Sequence, residues 1–444
     1  MRYQGQNVLI VGLGESGKAA VRFFAERGAS VTVTDSRTEE QLGAAAAGLD
    51  QAVDRWVLGG HSGELFTGQD LVVPSPGVPW DLPQLDAARG AGVRVAGELE
   101  IAASELRGHA IGVTGSNGKT TTTALIGHIL AGAGLPTVVA GNIGTPLLAI
   151  ASASTDEQWN VLELSSFQLE ASTSFRPQTA LILNVTPDHL DRHGTFENYT
   201  AAKARILRAQ EPGDAVILNA DDPTCRSLES QVKGRTLRFS RREKLDLGAW
   251  LDGESIVIDG RTVAPTDLPI RGTHNLENAL AASLAAAEAG VSDRDIRQGL
   301  QSFAAVEHRL EFVRQVAGVD YYNDSKATNV DAALKAVEAF DGGLWIILGG
   351  RDKDSDYRPL RDPLSKRASR VLLIGEAAGK IRRHLADAVP LQDCNTLEQA
   401  IQVAHAKASP GDTVLLSPAC ASFDQFQSYG ERGSAFKRLA GGLR

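Results

Sequence analysis

TGSNGKTTTT, residues 114–123, lies between a short apolar run, HAIGV (109–113), and ALIGHILAG (124–132), which has the composition of a packed helix. A strand, a glycine loop and a helix in that order are the parts of a phosphate-binding loop, G-x-x-x-x-G-K-[ST]. Gly118, Lys119 and Thr120 supply its end, but the position five before Gly118 is Val113 rather than glycine. The physics still favours an anion. Gly115 and Gly118 let the backbone curl until its N–H groups converge. Lys119 adds a point charge for β/γ-phosphates, and the Thr120 hydroxyl is placed to ligate Mg²⁺. A helix start without any ligand also fits this stretch when it is read alone.

Towards the N-terminus, NVLIV (7–11) is followed by a second glycine turn, Gly12-x-Gly14-x-x-Gly17, a helix and the strand SVTVTD ending at Asp35. This is the dinucleotide fingerprint in its strand–turn–helix context. By itself it suits an NAD enzyme or a ligand-free packing turn equally well. Arg37 adds a cation at the rim, whereas Glu15 puts a carboxylate inside the loop, where a diphosphate would be repelled unless the side chain points outward. DLVVPSPGVP (70–79) reads as a further strand ending in a Pro/Gly loop.

Beyond the central loop, WNVLELSS, TALILNVT and DAVILNAD are buried strands, SIVIDGRTVAP (255–265) alternates like an exposed antiparallel strand, and NLENALAASLAAAEAG is a helix packed through small side chains. Glu163 and the pair Asp188-His189 fall at strand ends, where ligands bind in open α/β sheets. His189 alone suits a surface histidine, and Lys203 a solvated helix lysine. After residue 305, YYNDSKATN, GGRDKDSDY and SPACASFDQFQSYGERG each follow or end a strand. They read as a binding surface, or as ordinary helix-capping chemistry.

The 444 residues predict an α/β protein of three domains: a Rossmann-like 1–96, a central P-loop-type ATP-binding 97–304 and a Rossmann-like 305–444. A net charge of −9 argues against nucleic acid, whose phosphates need clustered Lys and Arg. No apolar run suits a membrane span, and the N-terminus lacks signal-peptide architecture. Cys225, Cys394 and Cys420 have no metal-like spacing and are expected to be reduced thiols of a cytoplasmic protein.

Taken together, TGSNGKTTTT, LELSSFQLE, LNVTPDHLDRHG, GTHNLENALAA, EHRLE, NDSKATN and LLSPACASFDQF resemble the motifs of the Mur ligases, in order, from about Asn7 to Ala440. Within that family the pattern is most similar to the members that add D-glutamate to UDP-N-acetylmuramoyl-L-alanine. The family's loop is T-G-x-N-G-K-[ST] and binds ATP, which accounts for Val113.

The resemblance implies a monomeric ligase with ATP as co-substrate and two Mg²⁺, acting through an acyl phosphate. It implies ATP contacts at Gly115, Ser116, Asn117, Gly118, Lys119, Thr120, Thr121, Asn142, Asn275, Asn278, Arg309 and Asp324. Gly14, Ser16, Asp35, Ser36, Arg37, Ser75 and Gly77 would take the UDP-sugar, and Thr328, Lys353, Ser422 and Tyr429 the amino acid. Thr120 and Glu163 would hold one metal, and His189 and Lys203 the other, with Lys203 carbamylated; Lys119, His189 and Lys203 carry the chemistry. The alternatives are a related ligase that adds another amino acid, such as L-glutamate, and an NAD-dependent dehydrogenase built on Gly12 to Asp35.

Overall fold

The structure is a computed structural model that describes residues 2–43, 46–270, 272–304 and 306–444. Three sheets follow one another along the chain. The first orders its strands Arg55–Leu58, Ser30–Asp35, Asn7–Val11, Leu71–Pro74 and Arg94–Val95, with every pairing parallel. The chain leaves Asn7–Val11 on one side to form Ser30–Asp35 and returns on the other as Leu71–Pro74. The end of Asn7–Val11 is therefore a topological switch point. Gly17 is required there, because a Cβ would lie 2.1 Å from the Gly12 carbonyl oxygen.

The second sheet has nine strands, with His109–Thr114 between Trp159–Glu163 and Thr179–Ile182. Val113 pairs with Glu163 and Thr114 with Ile182, so Glu163 ends its strand beside the phosphate loop. All-apolar strands suit a sheet covered on both faces. The covering helices include Lys119–Gly132 and Thr273–Glu288, whose alanines 279, 281, 282, 285 and 286 are buried. The expected single exposed strand at 255–265 is corrected. Ser255–Ile258 and Arg261–Pro265 are two antiparallel strands reversed at Asp259-Gly260, both in left-handed backbone. Ile256, Val257, Ile258, Val263 and Ala264 are buried, because the helices pack over this edge too.

The third sheet orders Glu311–Val316, Val319–Asn323, Thr413–Leu416, Leu344–Gly349, Ala368–Ile374 and Leu391–Asn395. Its three polar loops leave neighbouring strands: 323–329 after Val319–Asn323, 349–357 after Leu344–Gly349, and 417–428 after Thr413–Leu416. Arg432, 1% exposed in the helix Tyr429–Gly441, ties two of them together. It donates to Ser325 Oγ (3.0 Å), Ser325 O (2.8 Å), Cys420 O (3.2 Å) and Ala421 O (3.3 Å). Among the described residues no helix is long and apolar enough to cross a membrane.

Replacing Arg432 by Met keeps the volume but leaves those carbonyls without a donor in a buried place. Denaturant unfolding is expected to show a loss of about 3 kcal/mol or more. A change within ~0.5 kcal/mol, the range of an ordinary surface substitution, would mean that the guanidinium does not hold the loops.

Candidate functional site

The phosphate loop is shaped by its glycines. Gly118 has φ 84°, and a Cβ on it would meet Asn278 Oδ1 at 2.3 Å. It caps the helix Lys119–Gly132 without a side-chain hydrogen bond, so the first turn opens onto the loop. Ser116 N and Asn117 N donate to Asn184 O (2.9 Å) and Asn184 Oδ1 (2.8 Å), fixing the loop on the neighbouring strand end. Lys119 Nζ curls back to Gly115 O (2.8 Å) and Ser116 O (2.9 Å).

Beside the loop, Glu163 is buried. It accepts from Thr120 Oγ1 (2.7 Å) on one carboxylate oxygen and from Asn142 Nδ2 (2.8 Å) on the other. Burial alone would raise its pKa, but Lys326 and Lys119 outweigh it and keep the group ionised. Lys203, also buried, donates from Nζ to Gly115 O (2.8 Å) and lies 4.5 Å from the Tyr199 ring centroid. Burial, then the Lys119 charge, pushes its pKa well below that of an ordinary lysine. His189 sits in left-handed backbone (φ 53°), its ring 4.9 Å from Phe167. Burial pushes its imidazole down to about 4, despite the neighbouring Asp188.

A cavity of 330 Å³ gathers these groups with the third domain's loops. Lys119, Asn142, His189 and Lys203 line one side, and Thr328, Lys353, Ser422 and Tyr429 the other. The two sides are latched together. Asp188 accepts from Lys353 Nζ (3.4 Å) and Asn329 Nδ2 (2.9 Å), while Asn117 Nδ2 donates to Asp331. Burial would raise the Asp188 pKa, yet the Lys353 and His189 charges hold it at about 2.

Next to this cavity Asn117, Gly118, Asn278, Arg309 and Asp324 line a narrower pocket. Asn278 Nδ2 donates to Asn275 Oδ1 (2.9 Å), and Asn275, Thr121 and Arg309 open onto a 470 Å³ cleft. Arg309 Nε is buried with no hydrogen-bond partner among the described residues. Asp324 accepts from Ser417 Oγ (2.8 Å) and Leu310 N (3.3 Å), and burial raises its pKa to about 7.

The first sheet's residues form a separate cluster. Ser75 Oγ donates to Gly12 O (2.7 Å), and Gly14 and Gly77 are exposed at the loop tips. Ser16 hydrogen-bonds Glu98, whose Oε1 also accepts Leu148 N (3.3 Å) of the second domain. Glu15 points into solvent and pairs with Lys18 at 2.8 Å, which removes the repulsion expected of it. Asp35 is taken up internally. It accepts from Leu13 N (2.8 Å) and from Arg37 Nε (3.0 Å), with exposed Ser36 between the two residues. With both oxygens engaged, Asp35 is poorly placed to accept from an NAD ribose.

Sequence reading gave no role to Lys326 or Asn329, although both lie in NDSKATN, and none to Asp331 or Phe167. Lys326 is half-buried and its Nζ lies 5.0 Å from the Tyr429 ring centroid, with desolvation and then Arg309 pushing its pKa down to about 7. Only the long-range packing of that loop distinguishes it from a capping turn.

Comparison with known proteins gives a consistent result. Models of the Mur ligase MurD-like N-terminal domain, the Mur ligase middle domain and the Mur ligase glutamate ligase domain match residues 6–97, 113–286 and 308–420. A UDP-N-acetylmuramoylalanine–D-glutamate ligase of Solibacter usitatus is 54% identical over 445 residues, 100% of this chain and 99% of its own. One of the same description from Acidobacterium capsulatum is 51% identical, covering 99% and 97%. The solved UDP-N-acetylmuramate-alanine ligase of Thermotoga maritima shares the fold, with a TM-score of 0.65 at 20% identity over 98% of this chain and 100% of that one.

The raised pKa of Asp324 has a definite sign. Its folded value, about 7, exceeds the ordinary aspartate value, so its contribution to stability is full below about pH 4 and is lost as pH rises through about 7. Thermal melts of the ligand-free protein are expected to show the wild type losing stability relative to Asp324→Asn between about pH 5 and 7.5. Parallel curves would mean that the carboxyl is ionised throughout.

Proposed function

The chain belongs to the Mur ligase family, and from that premise we propose that it joins D-glutamate to UDP-N-acetylmuramoyl-L-alanine with cleavage of ATP to ADP and phosphate. The observation that carries this reading is the 330 Å³ cavity, where phosphate-loop Lys119 faces Lys353, Thr328 and Ser422 across a domain boundary. In the first step a carboxylate oxygen of the UDP-linked substrate attacks the γ-phosphorus and ADP leaves. In the second the glutamate amine attacks the acyl carbon, loses a proton and expels phosphate.

Two anions must meet for the first step, so the site must offset their repulsion. Lys119 is the group for the γ-phosphate, at the opening of the helix. Asn275, Asn278, Arg309 and Asp324 surround the remainder of the nucleotide, as do Ser116, Asn117 and Thr121. Gly14, Ser16, Ser36, Arg37, Ser75 and Gly77 take the UDP-sugar, and Asp35 acts there through the Arg37 guanidinium and Leu13 amide that it holds in place. The division into 1–96, 97–304 and 305–444 follows these roles; residues 1 and 305 themselves lie outside the described residues.

The hydroxyl of Thr120 and the carboxylate of Glu163 are hard oxygen donors, which suit Mg²⁺. Bound Mg²⁺ would supply Lewis-acid polarisation of the phosphoryl oxygens. An ammonium cannot be a ligand, so Lys203 fits a second such site with His189 only as a carbamate. Its burial favours the neutral amine, whose lone pair can attack CO₂ and lose a proton to give an anionic oxygen donor. The second carboxylate of glutamate is matched to Lys353, with Thr328 and Ser422 orienting it and Tyr429 as the wall. Three buried, unpaired thiols suit a reducing cytoplasm.

Phosphate release from Mg-ATP is expected only with UDP-N-acetylmuramoyl-L-alanine and D-glutamate together, and it should fall roughly a hundredfold or more in a folded Lys119→Ala variant. Equal turnover with L-glutamate, or an active Lys119→Ala protein, contradicts the assignment. Labelled bicarbonate is expected to give a carbamate carbon resonance that disappears in Lys203→Ala. An active enzyme without that resonance returns Lys203 to an ordinary buried lysine.

A further inference from the structure

The two side chains matched to the glutamate carboxylate, Lys353 and Ser422, stand on different loops leaving neighbouring strands. The length of amino acid that fits depends on how those loops are set against each other. One attachment is backbone: Gly349 N donates to Pro418 O (2.9 Å), Arg351 N to Ala421 O (2.9 Å) and Ala421 N to Arg351 O (3.2 Å). These bonds stop at Arg351 and Ala421, short of Lys353 and Ser422. The second attachment is a side chain. Tyr357, fully buried, donates from its hydroxyl to Asp352 Oδ1 (2.7 Å), next to Lys353, and the same hydroxyl lies 3.0 Å from Cys420 Sγ, two residues before Ser422.

The relay is anchored at both ends. Asp352 also accepts from Lys380 Nζ (2.7 Å) and Ser355 N (3.1 Å), and Tyr357 N donates to His384 Nδ1 (3.1 Å). On the other loop Cys420 O accepts from buried Arg432 (3.2 Å). The hydroxyl is the point where two rigid halves meet, and its packing explains neither partner. A phenylalanine would fill the same core volume beside Leu360 and Leu364.

We propose that the Tyr357 hydroxyl is a positioning residue for substrate selection, fixing the spacing of Lys353 and Ser422 and thereby the side-chain length of the acidic amino acid accepted. The inference rests on the reading of Lys353 as the carboxylate partner. Tyr357 touches no substrate; it acts through Asp352 on one loop and Cys420 on the other.

The test is steady-state kinetics of the full-length enzyme with Tyr357→Phe, Asp352→Ala and the double variant, each checked for folding by thermal melt. D-glutamate is compared with D-aspartate and D-2-aminoadipate. Tyr357→Phe is expected to raise the KM for D-glutamate about tenfold, the worth of one buried hydrogen bond. The KM values for ATP and the UDP-substrate stay unchanged, and discrimination against the shorter and longer acids falls. The double variant should be no worse than the poorer single one, since both break the same tie. An unchanged KM and unchanged discrimination overturn the proposal. So does an equal loss for all three substrates, which marks a purely structural hydroxyl. Failure of the wild type to use D-glutamate at all overturns the Lys353 reading, and this inference with it; Lys353→Ala tells the two failures apart, because it should raise the glutamate KM even where Tyr357→Phe does not.

Discussion

Three lysines converge on the site: buried Lys203 and half-buried Lys119 against the phosphate loop, and half-buried Lys326 across the domain boundary. Their carboxylate partners are Glu163 and Asp188. Burying an ammonium is costly unless it is paired or loses its proton, and here the cations outnumber the anions. Lys119 and Lys203 are consequently bonded to the same carbonyl, Gly115 O, and the Lys119 charge adds to burial in pushing the Lys203 pKa down. A site held in this condition is incomplete without added negative charge, which phosphates and carboxylates supply.

The fold delivers these groups through strand ends. In the second sheet the parallel pairing of His109–Thr114 with Trp159–Glu163 places Thr120 and Glu163 side by side. The neighbouring strand Thr179–Ile182 runs on to Asp188-His189, and the third sheet directs three loops back at them. The latch through Asp188, Asn329 and Lys353 joins two domains beside the 330 Å³ cavity. Closing such a boundary excludes water from the space between them.

What could be read from the sequence follows from the range of the forces involved. The glycine loops were legible because a few consecutive residues determine a turn, and Gly118 and Gly17 occupy places where a Cβ has no room. The hairpin at 255–265 was misread as exposed because its cover, the alanine helix Thr273–Glu288, comes later in the chain. Glu15 is repulsive in the bare loop pattern, whereas its side chain points outward to Lys18, a direction the pattern does not encode. Asn329 and Asp331 have partners 141 and 214 residues away, Asp188 and Asn117 respectively, and no local pattern encodes that.

The crowding of lysines at the site makes a direct thermodynamic demand. At about pH 8, Lys326, with a pKa near 7, is mostly neutral in the free protein. Bound phosphates should restore its charge, so nucleotide binding must take up protons. Titration calorimetry of a non-hydrolysable Mg-ATP analogue in buffers of different ionisation enthalpy measures this. The account requires net proton uptake at about pH 8, smaller uptake near pH 6, and reduced uptake in Lys326→Met. Binding with no linked protons, or with the same uptake in Lys326→Met, would contradict it.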